Sequence, residues 1–236
     1  MSADAPHQLT FDLAVEPRFG RADFLVTACN AAAFEMVERW PDWPDRVLLL
    51  IGPAGSGKSH LGAIWAARAN ARVVTGPSLP QAEIDALSVP GAVLLEDADR
   101  MTGGEAELFH LLNRVRDTGG SMLVTARRWP AAWGLTIKDL LSRLRLAPAV
   151  EIGAPDDALV RAVLVKLFLD RQLAVDTSLI DYLALRIDRS LDAARAIVAR
   201  LDHEALIRNR PVTRALAAEF FRGTSAHDAS DDDNKN

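Results

Sequence analysis

The sequence predicts an α/β fold in which a parallel five-stranded sheet is followed by a small, all-helical domain. Strand-like apolar runs alternate with helical segments from about residue 27 to residue 153. Such alternation is typical of a parallel sheet with helices on both faces. After residue 153 only amphipathic helical patterns recur. We therefore expect an α/β domain over residues 19–153 and a helical domain over residues 154–223.

Five short runs have the length and composition of strands. The first three are almost continuously apolar, which favours strands that are covered on both faces. The last is shorter and less apolar. The runs are RVLLLI (46–51), ARVVT (71–75), GAVLLED (91–97), SMLVTA (121–126) and APAVEIG (147–153).

The segments between and after these strands repeat apolar residues at helical spacing. One of them begins with Thr102 and Glu105, which stand at capping-box spacing. The acidic tail, residues 224–236, has the composition of a disordered segment. The predicted helices lie at 27–40, 60–70, 102–117 and 137–146 in the α/β domain, with three long helices and a fourth short one over 154–223.

Composition excludes several classes of protein. The chain has 236 residues, of which 49% are hydrophobic, so a sizeable core is possible. Its net charge of -5 argues against broad electrostatic binding of nucleic acid. The single cysteine, Cys29, fits a reducing compartment. The start lacks the pattern of a signal peptide, and no apolar run is long enough to cross a bilayer. We expect a cytoplasmic protein with no membrane contact.

A phosphate-binding motif lies between the first strand and the next helix. Residues 52–59 match G-x-x-x-x-G-K-[ST], and a chance match in a chain of this length is on the order of one per cent. Glycines let backbone N–H groups turn towards phosphate oxygens, the lysine reaches the outer phosphates and the last hydroxyl binds Mg²⁺. A loop that only joins strand to helix is the alternative. The expected nucleotide-binding residues are Gly52, Pro53, Ala54, Gly55, Ser56, Gly57, Lys58, Ser59 and His60.

Two acidic residues end the strand VLLED (93–97). In a phosphate-loop protein such carboxylates hold Mg²⁺ and polarise the attacking water. We assign Glu96 to the metal, together with Ser59, and Asp97 to catalysis. A role in capping the next loop is the alternative. Glu96 stands where aspartate is usual, so we expect the chain's own ATPase to be weak.

These segments resemble a known family. FGRADFLVTACN, LLLIGPAGSGKSHL, LLEDADRM, ELFHLLNRVRDTGGSMLVTARRWP and DLLSRLRL are similar to the nucleotide-binding core of the bacterial replication initiator DnaA. The similarity is greater to the Hda family of DnaA-related AAA+ regulators in its alphaproteobacterial form, and it covers roughly residues 8–222. It implies an AAA+ P-loop core with a helical lid, binding ADP or ATP with Mg²⁺. We expect no helix-turn-helix domain after the lid.

The resemblance also gives a role to QLTFDL near the start of the chain. Hda-type proteins carry an N-terminal peptide that binds the sliding clamp of DNA polymerase III, and residues 1–18 would hold that peptide and a linker. A disordered start or an edge strand is the alternative. The peptide residues are Gln8, Leu9, Thr10, Phe11, Asp12 and Leu13.

Four further roles follow from the resemblance. It implies that Arg143 is an arginine finger acting on a neighbouring subunit's nucleotide; the alternative is an ordinary surface arginine. Near the first sensor position stands Arg127. Asp192 stands where the second sensor arginine is expected. Arg189 and Arg195 are the candidates to replace it, and the alternative is that either faces solvent. Phe24 and Val26 are candidates for the wall of the base pocket, and ordinary core packing is the alternative.

The resemblance implies a regulator that docks on the clamp and stimulates ATP hydrolysis by DnaA, preventing re-initiation. DNA would be contacted only through the clamp, and a homodimer is possible. The alternatives are an autonomous P-loop ATPase and a DnaA-like DNA-loading adaptor. Robust turnover by the chain alone would favour the first, and tight binding to bare duplex the second.

Overall fold

The computed structural model describes residues 20–81 and 91–231. The proposed clamp-binding peptide, residues 8–13, lies outside these ranges, and so do residues 232–236 of the tail. Among the described residues, no helix is both long and apolar enough to cross a membrane.

A five-stranded parallel sheet forms the centre of the first domain. The strand order is β2-β3-β4-β1-β5, so β1 lies between β4 and β5. This confirms the predicted fold class. The strands are β1 (Val47–Ile51), β2 (Arg72–Thr75), β3 (Ala92–Glu96), β4 (Ser121–Ala126) and β5 (Ala149–Glu151).

Helices cover both faces of the sheet. Alternate residues of β1 point to opposite faces, and each face has its own apolar core: Leu49 belongs to one and Leu50 to the other. Helices α1 and α2 pack on the face of Leu50, and α3 and α4 pack on the face of Leu49. The helices are α1 (Ala31–Glu38), α2 (Lys58–Ala69), α3 (Glu105–Asp117) and α4 (Lys138–Leu146).

Strand β2 differs from its prediction as a buried strand. It is the edge strand next to β3, and only Val74 is buried in it, while Val73 is 56% exposed. A short apolar run cannot by itself indicate where its strand stands in the sheet, because strand order depends on distant segments.

The predicted capping box before α3 is wrong. Gly103 and Gly104 have φ angles of +81° and +79°, and Gly104 is the N-cap residue, so Thr102 lies outside the helix start. The carboxylate of Glu105 instead accepts hydrogen bonds from the backbone N–H groups of Thr136 and Ile137, each at 2.9 Å. It therefore ties the start of α3 to the start of α4.

Four helices form the second domain, here called the lid. They are α5 (Asp157–Asp170), α6 (Thr177–Ala184), α7 (Leu191–Arg208) and α8 (Arg214–Asp231), and they surround an apolar core of their own. Side-chain N-caps begin three of them, at Asp156, Asp176 and Ser190.

Helix α8 continues to Asp231, eight residues into the segment predicted to be disordered from residue 224. Proline, the strongest helix breaker, is absent from this stretch, and Gly223 alone does not end the helix. Phe220 and Phe221 pack against the lid core just before it, and such packing stabilises a helix more than propensity does.

Candidate nucleotide site

The phosphate-binding motif forms the loop between β1 and α2. Its glycines meet two different requirements. Gly55 and Gly57 have φ angles of +67° and +102°, where other residues are strained. A Cβ atom on Gly52 would lie 2.4 Å from the carbonyl oxygen of Ile152. The loop backbone therefore needs glycine at these positions to turn tightly at the carboxyl end of the central strand.

Lys58 and Ser56 bring polar groups into this loop. The side chain of Lys58 is buried and its Nζ donates to the carbonyl oxygens of Gly52 and Pro53, both at 2.7 Å. Burial lowers the pKa of Lys58. Within the described ranges, the buried Oγ of Ser56 has no hydrogen-bond partner. A buried cation and an unpaired hydroxyl facing one loop fit a phosphate group, which would satisfy both.

Ser59 and Glu96 are brought together, as the sequence predicts for a Mg²⁺ site. The Ser59 hydroxyl donates to the Glu96 carboxylate across the gap between the start of α2 and the end of β3. Burial raises the pKa of Glu96, and the Ser59 hydrogen bond partly opposes that effect. In the part of the chain that the structure describes, no three His, Cys, Asp or Glu residues form a metal-binding group. The two oxygen donors fit Mg²⁺, which commonly binds through one or two side chains and the nucleotide's phosphates.

Asp97 follows β3 in a left-handed conformation with φ of +51°. Its backbone N–H donates to the buried Oγ1 of Thr125 at 3.1 Å, and its carboxylate accepts from Arg100 at 3.3 Å. The turn places Asp97 next to Glu96 at the edge of the sheet that holds the phosphate loop. Thr125 was missed by sequence reasoning, although a polar residue inside the apolar run MLVTA (122–126) was a signal.

Asp99 is a second residue that the sequence analysis missed. Its side chain is only 3% exposed; it accepts from the backbone N–H of Arg127 at 3.0 Å and pairs with Arg128 at 3.5 Å. It thereby holds the segment after β4 at the same sheet edge. Burial is the main cause of the lowered pKa of Lys58, and the positive charge of Arg127 lowers it further.

A cleft of about 370 Å³ opens between the α/β domain and the lid. Phe24 forms part of its wall and stacks on Phe34, with ring centroids 5.4 Å apart, while His60 meets Phe24 edge-on at 5.2 Å. Val26, the other candidate, is 47% exposed and does not line the cleft. The lid contributes the apolar side chains of Leu159 and Leu191 to the lining. Leu191 also contacts the phosphate loop through its backbone hydrogen bond to Gly55, so this apolar slot adjoins the loop.

His60 has a structural role at this cleft. Its Nε2 donates to the carbonyl oxygen of Gly20 at 3.1 Å, which ties the segment before Phe24 to helix α2. Burial lowers the pKa of His60, so the neutral ring is favoured near neutral pH.

The lid is tied to the α/β domain at both ends of the cleft. At the phosphate loop, the backbone N–H of Leu191 donates to the carbonyl oxygen of Gly55 at 2.9 Å. At the other end, Lys166 Nζ lies 2.8 Å from Asp23 Oδ1 and 3.0 Å from Asp170 Oδ2. The N-terminus of α7 therefore rests on the phosphate loop while α5 is paired with the segment before Phe24.

Known proteins of similar sequence and of similar fold can be compared with this chain. No protein-family model matches the chain. The DnaA initiator of Levilactobacillus brevis is 26% identical over 129 residues, which are 55% of this chain and 28% of that protein. Domain III of Thermotoga maritima DnaA superposes with a TM-score of 0.73 at 18% identity, covering 88% of this chain and 97% of that one. AMPPCP-bound DnaA from Aquifex aeolicus gives 0.62 at 19% identity, with 76% and 63% covered.

The chain has the AAA+ fold. Its sequence is similar to that of DnaA over about half its length, and it spans 28% of that curated relative. The α/β domain and the four helices after it together have the arrangement of that fold.

The two candidate lid arginines take different positions in this AAA+ fold. Arg189 pairs with Asp157 at 2.9 Å and is 68% exposed. Arg195 lines the cleft and pairs with Asp192 at 3.0 Å. Only Arg195 therefore lies where it can approach a ligand in the cleft.

Arg143 lies in the last turn of α4, just before the amino end of β5, whereas the phosphate loop follows the carboxyl end of β1. Its contacts are with α3 and α4 and include none with the phosphate loop among the described residues. Its side chain is 35% exposed. The AAA+ core therefore presents this guanidinium away from its own nucleotide cleft.

Proposed function

We propose that this protein is an adenine-nucleotide-binding regulator of replication initiation. Docked on the sliding clamp through residues 8–13, it stimulates ATP hydrolysis by the initiator DnaA by inserting Arg143 at the initiator's nucleotide. Its own nucleotide, ADP or ATP with Mg²⁺, stabilises the form that docks.

The phosphate loop supports the nucleotide part of the proposal. Lys58 and Ser56 supply a buried cation and an unpaired hydroxyl, and Ser59 and Glu96 supply oxygen ligands for Mg²⁺. The apolar slot beside Phe24 has room for a base. The similar DnaA of Aquifex aeolicus was solved with AMPPCP, an adenine nucleotide analogue.

The single observation that carries the activator role is the placement of Arg143. A partly exposed arginine that does not contact its own phosphate loop is available to a neighbouring subunit. Such a guanidinium stabilises charge on the transferring phosphoryl group and can raise the rate by about three to five orders of magnitude. The resemblance of DLLSRLRL to the Hda family gives the same role to this residue.

The test is ATP hydrolysis by DnaA, measured with and without this protein in the presence of ADP and DNA-loaded clamp. We expect stimulation with the wild-type protein and none with Arg143→Ala, whose ADP binding should be unchanged. If the Arg143→Ala protein stimulates hydrolysis as fully as the wild type, the proposed function is wrong.

A second candidate is an autonomous ATPase. Glu96 and Asp97 stand together at the end of β3, where an ATPase holds Mg²⁺ and water. The Asp97 carboxylate, however, is already paired with Arg100. Steady turnover of ATP by the protein alone, lost in Asp97→Asn, would favour this candidate over the regulator.

A further inference from the structure

Three arginines of the lid carry charge that no carboxylate neutralises. Arg186, Arg200 and Arg214 are exposed, and among the described residues none of them forms an ion pair with Asp or Glu. Other lid arginines do form such pairs, so the three differ from their neighbours. The paired arginines are Arg161, Arg171, Arg189, Arg195, Arg208 and Arg210.

The three arginines lie against aromatic rings instead. The guanidinium carbons of Arg186 and Arg214 lie 3.7 Å and 5.3 Å from the ring centroid of Tyr182. That of Arg200 lies 4.2 Å from the ring centroid of Phe220. A ring face attracts a guanidinium within about 6 Å and restricts its direction, but it does not cancel the charge. Three positive charges are therefore held at the surface of the lid.

Phe221 joins these contacts into one surface across helices α6, α7 and α8. Its ring centroid lies 6.1 Å from that of Tyr182 and 5.7 Å from that of Phe220. The three rings and the three arginines are here called the arginine–aromatic row. Asp181 and Glu219, which adjoin its rings in the sequence, are already paired with other lid arginines. The row therefore keeps its positive charge.

The row fits a partner that presents several negative charges along a line. Each strand of a DNA duplex carries a phosphate about every 3.4 Å of helix axis, and the forked donors of arginine match phosphate oxygens. Proteins that bind single strands stack bases on free aromatic faces. In the row, guanidinium groups lie over the faces of Tyr182 and Phe220, so it offers cations rather than stacking surfaces. This favours a duplex backbone over a single strand.

We propose that the lid binds the phosphate backbone of duplex DNA through the arginine–aromatic row. Three contacts give weak binding without sequence preference, which is compatible with the net charge of -5. A weak contact is sufficient for a protein held on a DNA-loaded clamp, because tethering beside the duplex raises the effective concentration. The backbone contact itself does not depend on the proposed function.

The test is fluorescence anisotropy of a labelled DNA duplex, titrated with the full-length protein at several low salt concentrations. We expect weak binding, with a slope of about -3 for the logarithm of the binding constant against the logarithm of the salt concentration. Arg186→Ala and Arg214→Ala should each weaken binding several-fold and make the slope shallower by about one. Arg208→Ala is the matched control, because it removes the same charge from an arginine already paired with Glu204 and Glu219. It should bind like the wild type.

Several outcomes would contradict the proposal. Absence of binding at low salt, or undiminished binding by Arg186→Ala and Arg214→Ala, would exclude the row as a DNA site. Tighter binding to a single strand, or equally effective displacement by polyglutamate, would exclude duplex DNA as its partner. Melting temperatures show that each variant is folded, and Arg200→Ala should repeat the loss if one of the others is not. Arg143→Ala should bind the duplex like the wild type, so this proposal and the proposed function can fail separately.

Discussion

The backbone N–H of Leu191, at the start of lid helix α7, donates to the carbonyl oxygen of Gly55 in the phosphate loop at 2.9 Å. The side chain of Ser190 packs in the space beside Gly55, where a Cβ atom would lie 2.0 Å from Ser190 Oγ. The lid and the phosphate loop thus touch through a glycine, and anything that alters this contact should alter both lid position and nucleotide binding.

Gly55→Ala should weaken nucleotide binding and loosen the lid. The new methyl group meets Ser190, and the φ angle of +67° is strained for alanine. We expect the affinity for ADP to fall at least about tenfold, since strain and a clash together exceed the 1.4 kcal/mol that a factor of ten represents. Titration with labelled ADP measures it.

Gly119→Ala is the matched control for this change. Its φ angle is +71°, similar to that of Gly55, but nothing lies within 4 Å of the new Cβ atom. It should cost some stability and leave ADP affinity unchanged. Equal affinities for the two variants would show that the Ser190 contact has no part in binding.

Lys166→Met should speed the release of bound nucleotide. Lys166 pairs with Asp23 on the α/β domain. Its hydrogen bonds to Asp23 and to Asp170 raise the pKa of Lys166, so the amine stays charged and the contact persists throughout the neutral range. Without it the cleft opens more easily at the end opposite the phosphate loop. We expect dissociation of fluorescent ADP in stopped flow to be several-fold faster.

Asp170→Asn provides the comparison for Lys166. It removes the negative charge of the partner within α5 but keeps the ion pair of Lys166 with Asp23. Its release rate should stay close to the wild-type rate. If Lys166→Met releases ADP at the wild-type rate, the lid is not held by this pair.

Binding of nucleotide with Mg²⁺ should weaken as the pH falls. The weakening should begin at a pH above the usual pKa of a glutamate. Burial raises the pKa of Glu96, so a proton competes with Mg²⁺ for this carboxylate at higher pH than usual. Calorimetric titration of Mg²⁺–ADP between pH 5 and pH 8 should show this loss. Glu96→Gln should reduce the loss to the part that comes from protonation of the ADP phosphate itself. An identical acid dependence in Glu96→Gln would exclude Glu96 as its origin.

The same raised pKa predicts the sign of a stability change. A group with a raised folded-state pKa stabilises the fold below its unfolded-state pKa, and this contribution is lost as the pH rises through the folded-state pKa. At neutral pH the burial of Glu96 therefore costs stability. Glu96→Gln should raise the melting temperature of the nucleotide-free protein at pH 7, and a lower melting temperature would contradict this explanation.

Changing Gln8 and Leu9 together to alanine should abolish retention by immobilised sliding clamp. In the proposed complex, Phe11 and Leu13 enter an apolar pocket on the clamp, and the side-chain amide of Gln8 hydrogen-bonds at the rim of that pocket. Nucleotide binding should be unchanged, because the expected nucleotide-binding residues are 52–60 and do not include Gln8 or Leu9. Undiminished retention on the clamp would refute the assignment of residues 8–13.

Features that depend on neighbouring residues in the chain were predictable. The phosphate loop and the strand that precedes it are such features, since the run RVLLLI and the motif after it together span only residues 46–59. The juxtaposition of Ser59 with Glu96 followed from parallel strands ending at one sheet edge. The lid helices followed from their apolar periodicity.

Features that depend on distant residues were not predictable. The Asn113–Arg143 hydrogen bond joins residues 30 apart, and the Thr125 contact with Asp97 spans 28. The edge position of β2 depends on strand order. The predicted start of α3 was wrong because Gly103 and Gly104 have positive φ angles, which are not helical. The helix therefore begins after Gly104, and Thr102 is not its N-cap residue.

The measurement that tests the account most directly is equilibrium dialysis of the full-length protein with ADP and ATP in the presence of Mg²⁺. The account predicts saturable binding at one site, with affinity lowered by about 10- to 100-fold in Lys58→Ala, the cost of losing a charge-assisted contact to phosphate. Lys138→Ala, at the start of α4, should bind like the wild type. Absence of binding by the wild-type protein, or equal binding by Lys58→Ala, would contradict the account.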